Sequence, residues 1–222
     1  MSGAPTIPIS VVVPVKNEEA NLARCLEQLG RFAEVIVVDS GSSDHTPEIA
    51  RQFGARLIEF NWNGKYPKKR NWTLLNHKLA CDWVLFLDAD EIVDEAFCVA
   101  AQDALRSADH EGYWLNYSNW FLGRPLRHGL PQRKLALFRV GKGLYERIEE
   151  DHWSALDMEI HEHPIIDGSV GEIEARIEHN DERGMVKFID RHRDYALWEA
   201  RRFELLRCGG SDVTTRRTGR KR

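Results

Sequence analysis

The chain has 222 residues, 42% hydrophobic and 30% charged, with a formal net charge of −4. That is room for one substantial domain with a real core, in a balance that argues against wholesale disorder. No run approaches the ~20 apolar residues that span a bilayer, and the opening MSGAPTIPIS has neither the basic start nor the apolar core of a signal peptide, so a cytoplasmic protein is expected.

Ile9–Val15 (ISVVVPV) is a continuous, β-branched apolar run, the pattern of a strand buried on both faces. Leu22, Cys25, Leu26 and Leu29 follow at helical spacing, and Glu34–Ser40 (EVIVVDS) repeats the buried strand. SDHTPEIARQFG opens a helix, with Thr46 as N-cap, Pro47 at the first helical position and Gly54 as the stop. ARLIEF makes a third strand, KKRNWTLLNHKLA a helix and DWVLFLDAD a fourth strand. This alternation predicts βαβ units, hence an α/β fold with a largely parallel sheet and helices on both faces.

Beyond Glu91 the pattern loosens. DEAFCVAAQDALRS reads as a helix, GYWLNYSNWFLG and KLALFRVG as strands, and MEIHEHPIID and GEIEARIEHN as further β or loop segments. A long charged helix follows, with an apolar stripe of Met185, Phe188, Ile189, Ala196, Trp198, Phe203 and Leu206. The expected boundaries are a main domain over 1–184, a C-terminal helix over 185–210 and a basic disordered tail over 211–222.

Charge is unevenly spread. Arg191–Arg222 holds ten Lys/Arg against four Asp/Glu, which leaves −10 for the rest of the chain. An acidic body is not that of a nucleic-acid binder, while the basic end suits an anionic partner or a solvated tail. The four cysteines show no C-x-x-C spacing, which argues against a disulfide framework or a thiolate zinc site.

Ligands of open parallel sheets bind beyond the carboxyl ends of the strands, and here those ends are charged. The first strand runs into Lys16-Asn17-Glu18-Glu19, the second ends in Asp39-Ser40-Gly41 and the fourth in Asp88-Ala89-Asp90-Glu91. One acidic strand end is ordinary cap or turn chemistry; three meeting at one sheet edge are harder to explain structurally. Asp88 and Asp90, two apart, suit a hard cation, Mg²⁺ or Mn²⁺, which would bridge diphosphate oxygens and neutralise a leaving nucleoside diphosphate. A bare D-x-D is common by chance and gains weight from following VLFL directly. PVKNEEANL has no glycine to admit a dinucleotide's pyrophosphate, and no P-loop occurs, which disfavours both of those nucleotide sites. Lys65, Lys68, Lys69 and Arg70 cluster before the fourth strand. A solvated helix start is the plain reading of any one lysine, and Arg70 is the member best suited to a diphosphate.

In order along the chain, ISVVVPVKNEEANLARCLEQL, VIVVDSGSSDHTPEIA, KKRNWTL and WVLFLDADE resemble glycosyltransferase family 2, the inverting nucleotide-sugar transferases with a GT-A fold. LALFRVGKG, the IHE at Ile160–Glu162 and the IEHN at Ile177–Asn180 resemble the lipopolysaccharide-core glucosyltransferase type within it. The resemblance implies a Rossmann-like, mostly parallel sheet with a donor half over about 1–100 and an acceptor half over about 101–184. It implies Pro14, Glu18 and Asp39 along a nucleoside pocket, with Asp39 accepting from a base N–H or a ribose hydroxyl. Arg70 would approach the diphosphate, Asp88 would face the ribose or the metal, and Asp90 would bind the metal. The donor would be a nucleotide-sugar, with a UDP-sugar favoured, and the acceptor a glycan or a lipid-linked glycan. Relatives often carry Gln where this chain has Lys69, and Pro-Asp and an RLFR-like strand where it has Pro131-Gln132 and Ala136. These departures leave the donor reading intact and bear on the acceptor.

Inversion by direct displacement needs a general base beside the acceptor hydroxyl. Glu162, in EIHEHP, is the candidate, from the family pattern and its place between two histidines; Glu150 or Asp151, in IEEDHW, is the alternative. His161 and His163 would share the strand face opposite Glu162, where a metal role competes with ordinary hydrogen bonding, the latter preferred for His163. His179 would complete the cation's coordination from the far wall, against a structural role of at least equal weight. Trp114, Trp120 and Phe121 suit stacking on a sugar, although aromatics on strands are more often core. The charged helix and arginine tail suit peripheral contact with the inner face of the cytoplasmic membrane; a helix packed on the domain is the default. Two other functions fit less well: a nucleotidyltransferase making a nucleotide-sugar, which usually needs a Gly-rich first loop, and a non-catalytic sugar-nucleotide or glycan-binding module, which would not need intact donor residues.

Overall fold

In chain order the elements are β1 (Ile7–Val15), α1 (Leu22–Glu27), β2 (Phe32–Asp39), α2 (Thr46–Gln52), β3 (Arg56–Glu59), α3 (Lys69–Asn76), β4 (Trp83–Phe86) and β5 (Glu91–Ile92). They continue with α4 (Glu95–Ser107), β6 (Gly112–Phe121), β7 (Arg124–Pro125), β8 (Arg133–Arg139), β9 (Gly143–Tyr145), β10 (Pro164–Ile166), β11 (Val170–His179) and α5 (Gly184–Arg207). The computed structural model describes residues 6–107, 109–148, 153–154, 156–157, 159 and 163–208.

β1 is apolar at every position but Ser10 because it lies between two cores, and the buried Ser10 hydroxyl donates to Glu34. Val11, Val13 and Val15 enter one core with Leu22, Cys25 and Leu26 of α1, Ala50 of α2 and Phe97 of α4. Val12 enters the other, against which Trp72 and Leu74 of α3 pack. Helices therefore cover both faces of the sheet, whose order is β3-β2-β1-β4-β8-β6-β11-β5, with β7 on the end of β6. The first four strands are mutually parallel. β8 enters antiparallel between β4 and β6, and β6 and β11 pair parallel. The result is an α/β fold with a mostly parallel central sheet, flanking helices and a C-terminal helix.

Four local expectations give way to tertiary contacts. His45, not Thr46, is the N-cap of α2. Asp44 accepts the Thr46 N–H at 3.0 Å, which frees the Thr46 hydroxyl to accept the Glu18 N–H at 2.8 Å and tie down the exit of β1. β4 stops at Phe86, four residues short of Asp90, because the chain turns where the Glu91 N–H bonds the Asp88 carbonyl at 3.0 Å. Lys68, Lys69 and Arg70 are buried, not solvated: Lys69 Nζ donates to the Val15 carbonyl at 2.9 Å and faces Asp157 at 3.4 Å. In α5 the seven-residue stripe is no packing face. Trp198 is buried and Phe188 half-buried, while Met185, Ile189, Phe203 and Leu206 are exposed. The tail over 211–222 lies outside the described residues. Among the described residues no helix is long and apolar enough to cross a membrane.

Candidate active site

The carboxyl edge of the parallel strands opens into a cleft of about 550 Å³. β1 and its exit supply Pro14, Val15, Lys16 and Glu18, and the turn after β4 supplies Asp88, Asp90 and Glu91. Lys134, His179 and Arg191 reach it from β8, β11 and α5.

Asp88 is gripped on both oxygens. Arg70 donates to Oδ1 at 2.7 Å and Lys134 to Oδ2 at 2.7 Å. Burial alone would raise its pKa, but Lys134 and Arg70 outweigh burial and hold it well below the usual carboxylate range. Lys134 also bonds Glu91, whose carboxylate accepts the Asp88 N–H at 3.1 Å and the Tyr117 hydroxyl at 3.4 Å. Glu91 is fully buried, and burial pushes its pKa up despite Lys134. Its part is to clamp the turn. Lys134 arrives by register: Val84 pairs with Phe138 and Leu85 with Leu137, so continuing the antiparallel ladder sets Lys134 opposite Asp88.

Asp90 is positioned by β11. His179 pairs with Glu91 across β5–β11, and the Asn180 N–H bonds the Asp90 carbonyl at 2.9 Å. This brings His179 Nε2 to 3.5 Å from Asp90 Oδ2, with an Arg191 nitrogen 3.5 Å from the same oxygen. His179 Nδ1 lies 3.0 Å from Asn119 Oδ1; burial lowers the His179 pKa, but the Asp90 carboxylate outweighs burial and raises it, which favours a ring that donates Nε2–H to Asp90. Burial raises and His179 lowers the Asp90 pKa, with a net depression.

Among the described residues no three His, Cys, Asp or Glu side chains form a ready-made cation cage. The donor chemistry still fits Mg²⁺ or Mn²⁺. Asp90 and His179 offer an oxygen and a nitrogen side by side, and such ions in nucleotide sites take few protein ligands, the rest being phosphate oxygens and water. Asp88 has both oxygens committed and would join only by releasing Lys134 or Arg70.

Glu18 accepts from Arg183 at 2.5 Å and from Asn21 at 3.0 Å. Burial nevertheless pushes its pKa up to about 7 against the Arg183 charge. Arg183 is itself bound to Asp181 at 2.8 Å, so the segment before α5 closes onto the exit of β1. Asp39, at the end of β2, is buried and accepts from the Ser42 N–H and hydroxyl; it is not among the residues that line the cleft. Arg70 is held from behind by Glu159, which accepts the Arg70 and Asn71 N–H groups at 3.0 Å each and so caps α3 from a distant loop.

Glu162, Glu150, Asp151 and His161 lie outside the described residues. His163 lines the cleft, with its ring 6.0 Å from that of Trp114. Trp114 is half-buried beneath the Arg133 guanidinium at 4.9 Å, and Phe121 packs on Phe188 at 5.2 Å. Sequence reasoning overlooks Lys134, Glu159, Arg183 and Arg191 and leaves Glu91 without a role. The one local signal was the basic pair Arg133-Lys134 in LPQRKLALFR.

The model of the family described as Glycosyl transferase family 2 matches residues 10–155. The chain belongs to this family. A relative, the lipopolysaccharide core biosynthesis glycosyltransferase LpsC of Rhizobium meliloti, is 30% identical over 175 residues, 75% of this chain and 60% of that protein. An uncharacterized glycosyltransferase of Rickettsia typhi is 40% identical over 84 residues, 37% of this chain and 28% of its own length. The matches thus span under two thirds of these curated relatives. The crystal structure of S. aureus TarS shares the fold, with a TM-score of 0.53 at 19% identity over 79% of this chain and 37% of that one.

Proposed function

We propose that the chain is an inverting, metal-dependent hexosyltransferase that uses a nucleotide-diphosphate sugar, with a UDP-sugar favoured, and glycosylates a hydroxyl of a lipid-linked or cell-envelope glycan. The observation that carries this reading is the meeting of Glu18, Asp88 and Asp90 with Arg70 and Lys134 in one cleft at the carboxyl edge of a parallel sheet. The likeness to LpsC supports a lipopolysaccharide-type acceptor.

In this reading Pro14 and Glu18 receive the nucleoside, Asp39 would join them only by releasing Ser42, and Arg70 and Lys134 turn their charge to the diphosphate. Asp90 and His179 would hold a cation, joined by Asp88 on its release from Lys134 or Arg70, and the cation when bound would supply Lewis-acid neutralisation of the leaving group. The acceptor oxygen bonds to the anomeric carbon as the bond to the diphosphate oxygen breaks. The electron pair leaves on the diphosphate, and the hydroxyl proton passes to Glu162. Support for Glu162 over Glu150 or Asp151 is that Glu159 and His163, on either side of it in sequence, both line the cleft.

The test is thermal stabilisation by a panel of nucleotide-sugars, with and without Mn²⁺, followed by transfer assays. A donor and a cation should stabilise together, and Asp90→Ala should remove both the coupling and turnover. Glu162→Gln should keep donor stabilisation and lose transfer by about 10²-fold or more. Full metal-dependent turnover by Asp90→Ala would refute the cation assignment, and unimpaired Glu162→Gln would move the base to Glu150 or Asp151.

A further inference from the structure

Between Glu111 and Glu146 the chain has no acidic residue, while Arg124, Arg127, Arg133, Lys134, Arg139 and Lys142 lie there. Residues 121–131 of this stretch are exposed throughout. Among them Phe121 is 36% exposed, Leu122 65%, Leu126 56% and Leu130 95%, an unusual concentration of uncovered apolar side chains. Leu122 and Gly123 form the two-residue connection between β6 and β7, with φ of 49° and 73°. Mirror-image hairpin turns of this kind favour Asn, Asp or Gly at the first position, since a bulky side chain is strained at positive φ. Leu122 accepts that strain while remaining 65% exposed among the described residues. The tip is not slack: the Leu126 N–H continues the ladder onto the Asn119 carbonyl at 2.8 Å.

We propose that this hairpin docks the protein on an anionic lipid surface. Leu122, Leu126 and Leu130 enter the boundary between headgroups and acyl chains, and Arg124 and Arg127 meet lipid phosphates. Charge selects this occupant over a second copy of the chain, because hairpins paired tip to tip would set Arg124 and Arg127 against their own kind, with no acidic residue between 112 and 145 to meet them. The apolar surface continues into α5, where Phe188 touches Phe121 and Val186 and Ile189 stand 73% and 58% exposed. Gln132 and Arg133, next along the chain, line the cleft. Docking here rests on the proposed function for its purpose, since it would hold the cleft's mouth at the surface where a lipid-linked acceptor resides.

Vesicle flotation of the whole chain tests this. Phosphatidylglycerol-containing vesicles should carry it and phosphatidylcholine vesicles should not, with binding weakened by salt. Removing one leucine from the apolar phase should weaken partition on the order of tenfold, so Leu122→Ser/Leu126→Ser/Leu130→Ser should abolish flotation. Arg124→Gln/Arg127→Gln should lower flotation and flatten its salt dependence. Leu130→Ser alone gives the smaller loss should the triple variant misfold. Absent flotation, or flotation indifferent to the leucines, overturns the proposal; the latter would assign lipid binding to α5 or the basic C-terminus. A dimer in sedimentation that the triple variant dissociates overturns it in favour of a second copy. Nucleotide-sugar stabilisation of the same variants keeps the two readings apart: vesicle binding without any donor would sink the transferase and leave the docking standing.

Discussion

Lys134→Met separates a compensating buried cation from a surface lysine. Lys134 Nζ bonds Asp88 at 2.7 Å and also Glu91; its side chain is 30% exposed and that of Glu91 0%. Asp88 keeps Arg70 when the lysine is lost, but Glu91 is left with one N–H at 3.1 Å and a hydroxyl at 3.4 Å. Breaking a buried pair by removing one partner costs ~3–5 kcal/mol. The partial exposure of Lys134 and the survival of Arg70 place the loss near the lower end, at about 3 kcal/mol. At roughly 2–4 °C per kcal/mol for a chain of this size, the melting temperature should fall by about 6–12 °C. Protonating Glu91 relieves the stranded charge. In the variant its folded-state pKa rises further above the unfolded value, so the folded state binds the extra proton and the deficit shrinks as pH falls from about 7.5 to about 5. Glu91→Gln in the Lys134→Met background should recover most of the loss. Thermal melts by circular dichroism at both pH values measure all of this. A fall under about 2 °C, or a double variant no more stable than the single, would refute the claim that Lys134 neutralises buried charge.

Glu18→Gln isolates a second buried carboxylate. Its folded pKa of about 7 against an unfolded 4.5 means the folded state binds the extra proton. Glu18 therefore weakens the protein as pH rises from 4.5 through 7, by up to about 3 kcal/mol at 1.36 kcal/mol per unit. The variant should gain on the parent by that amount between the two pH values in urea titrations, and a pH-independent difference would contradict the burial argument. Glu159→Ala should cost about 3 kcal/mol, since it removes the acceptor of two N–H groups and leaves buried Arg70 less held. Glu159→Gln, which keeps one acceptor oxygen, should cost visibly less in the same titrations; equal losses would mean the cap is not what Glu159 provides.

The donor half is legible because its signals are local. A strand buried on both faces needs an unbroken apolar run, so β1, β2 and β4 stand out, and an acidic turn directly after such a run marks the sheet's carboxyl edge. The boundary errors have the same origin in reverse. Thr46 fits an N-cap until the Glu18 N–H, 28 positions away, takes its hydroxyl. Lys69 fits a solvated helix start until the end of β1 offers it a carbonyl 54 positions away.

The sequence by itself determined the α/β pattern, the family and the residues that the turn after β4 brings to the sheet's edge. Only the tertiary structure decided what those carboxylates do. Lys134 meets Asp88 across 46 positions, Glu159 holds Arg70 across 89 and Arg183 closes on Glu18 across 165. Such pairings are set by strand register and helix docking rather than by any local preference. The physical reason is that a carboxylate's neighbours in space, not its neighbours in sequence, supply the burial and opposing charge that govern it. That is why three acids within four positions end as three different groups: Asp88 ionised between two cations, Asp90 beside an imidazole, and Glu91 sealed in the core as the clamp of the turn.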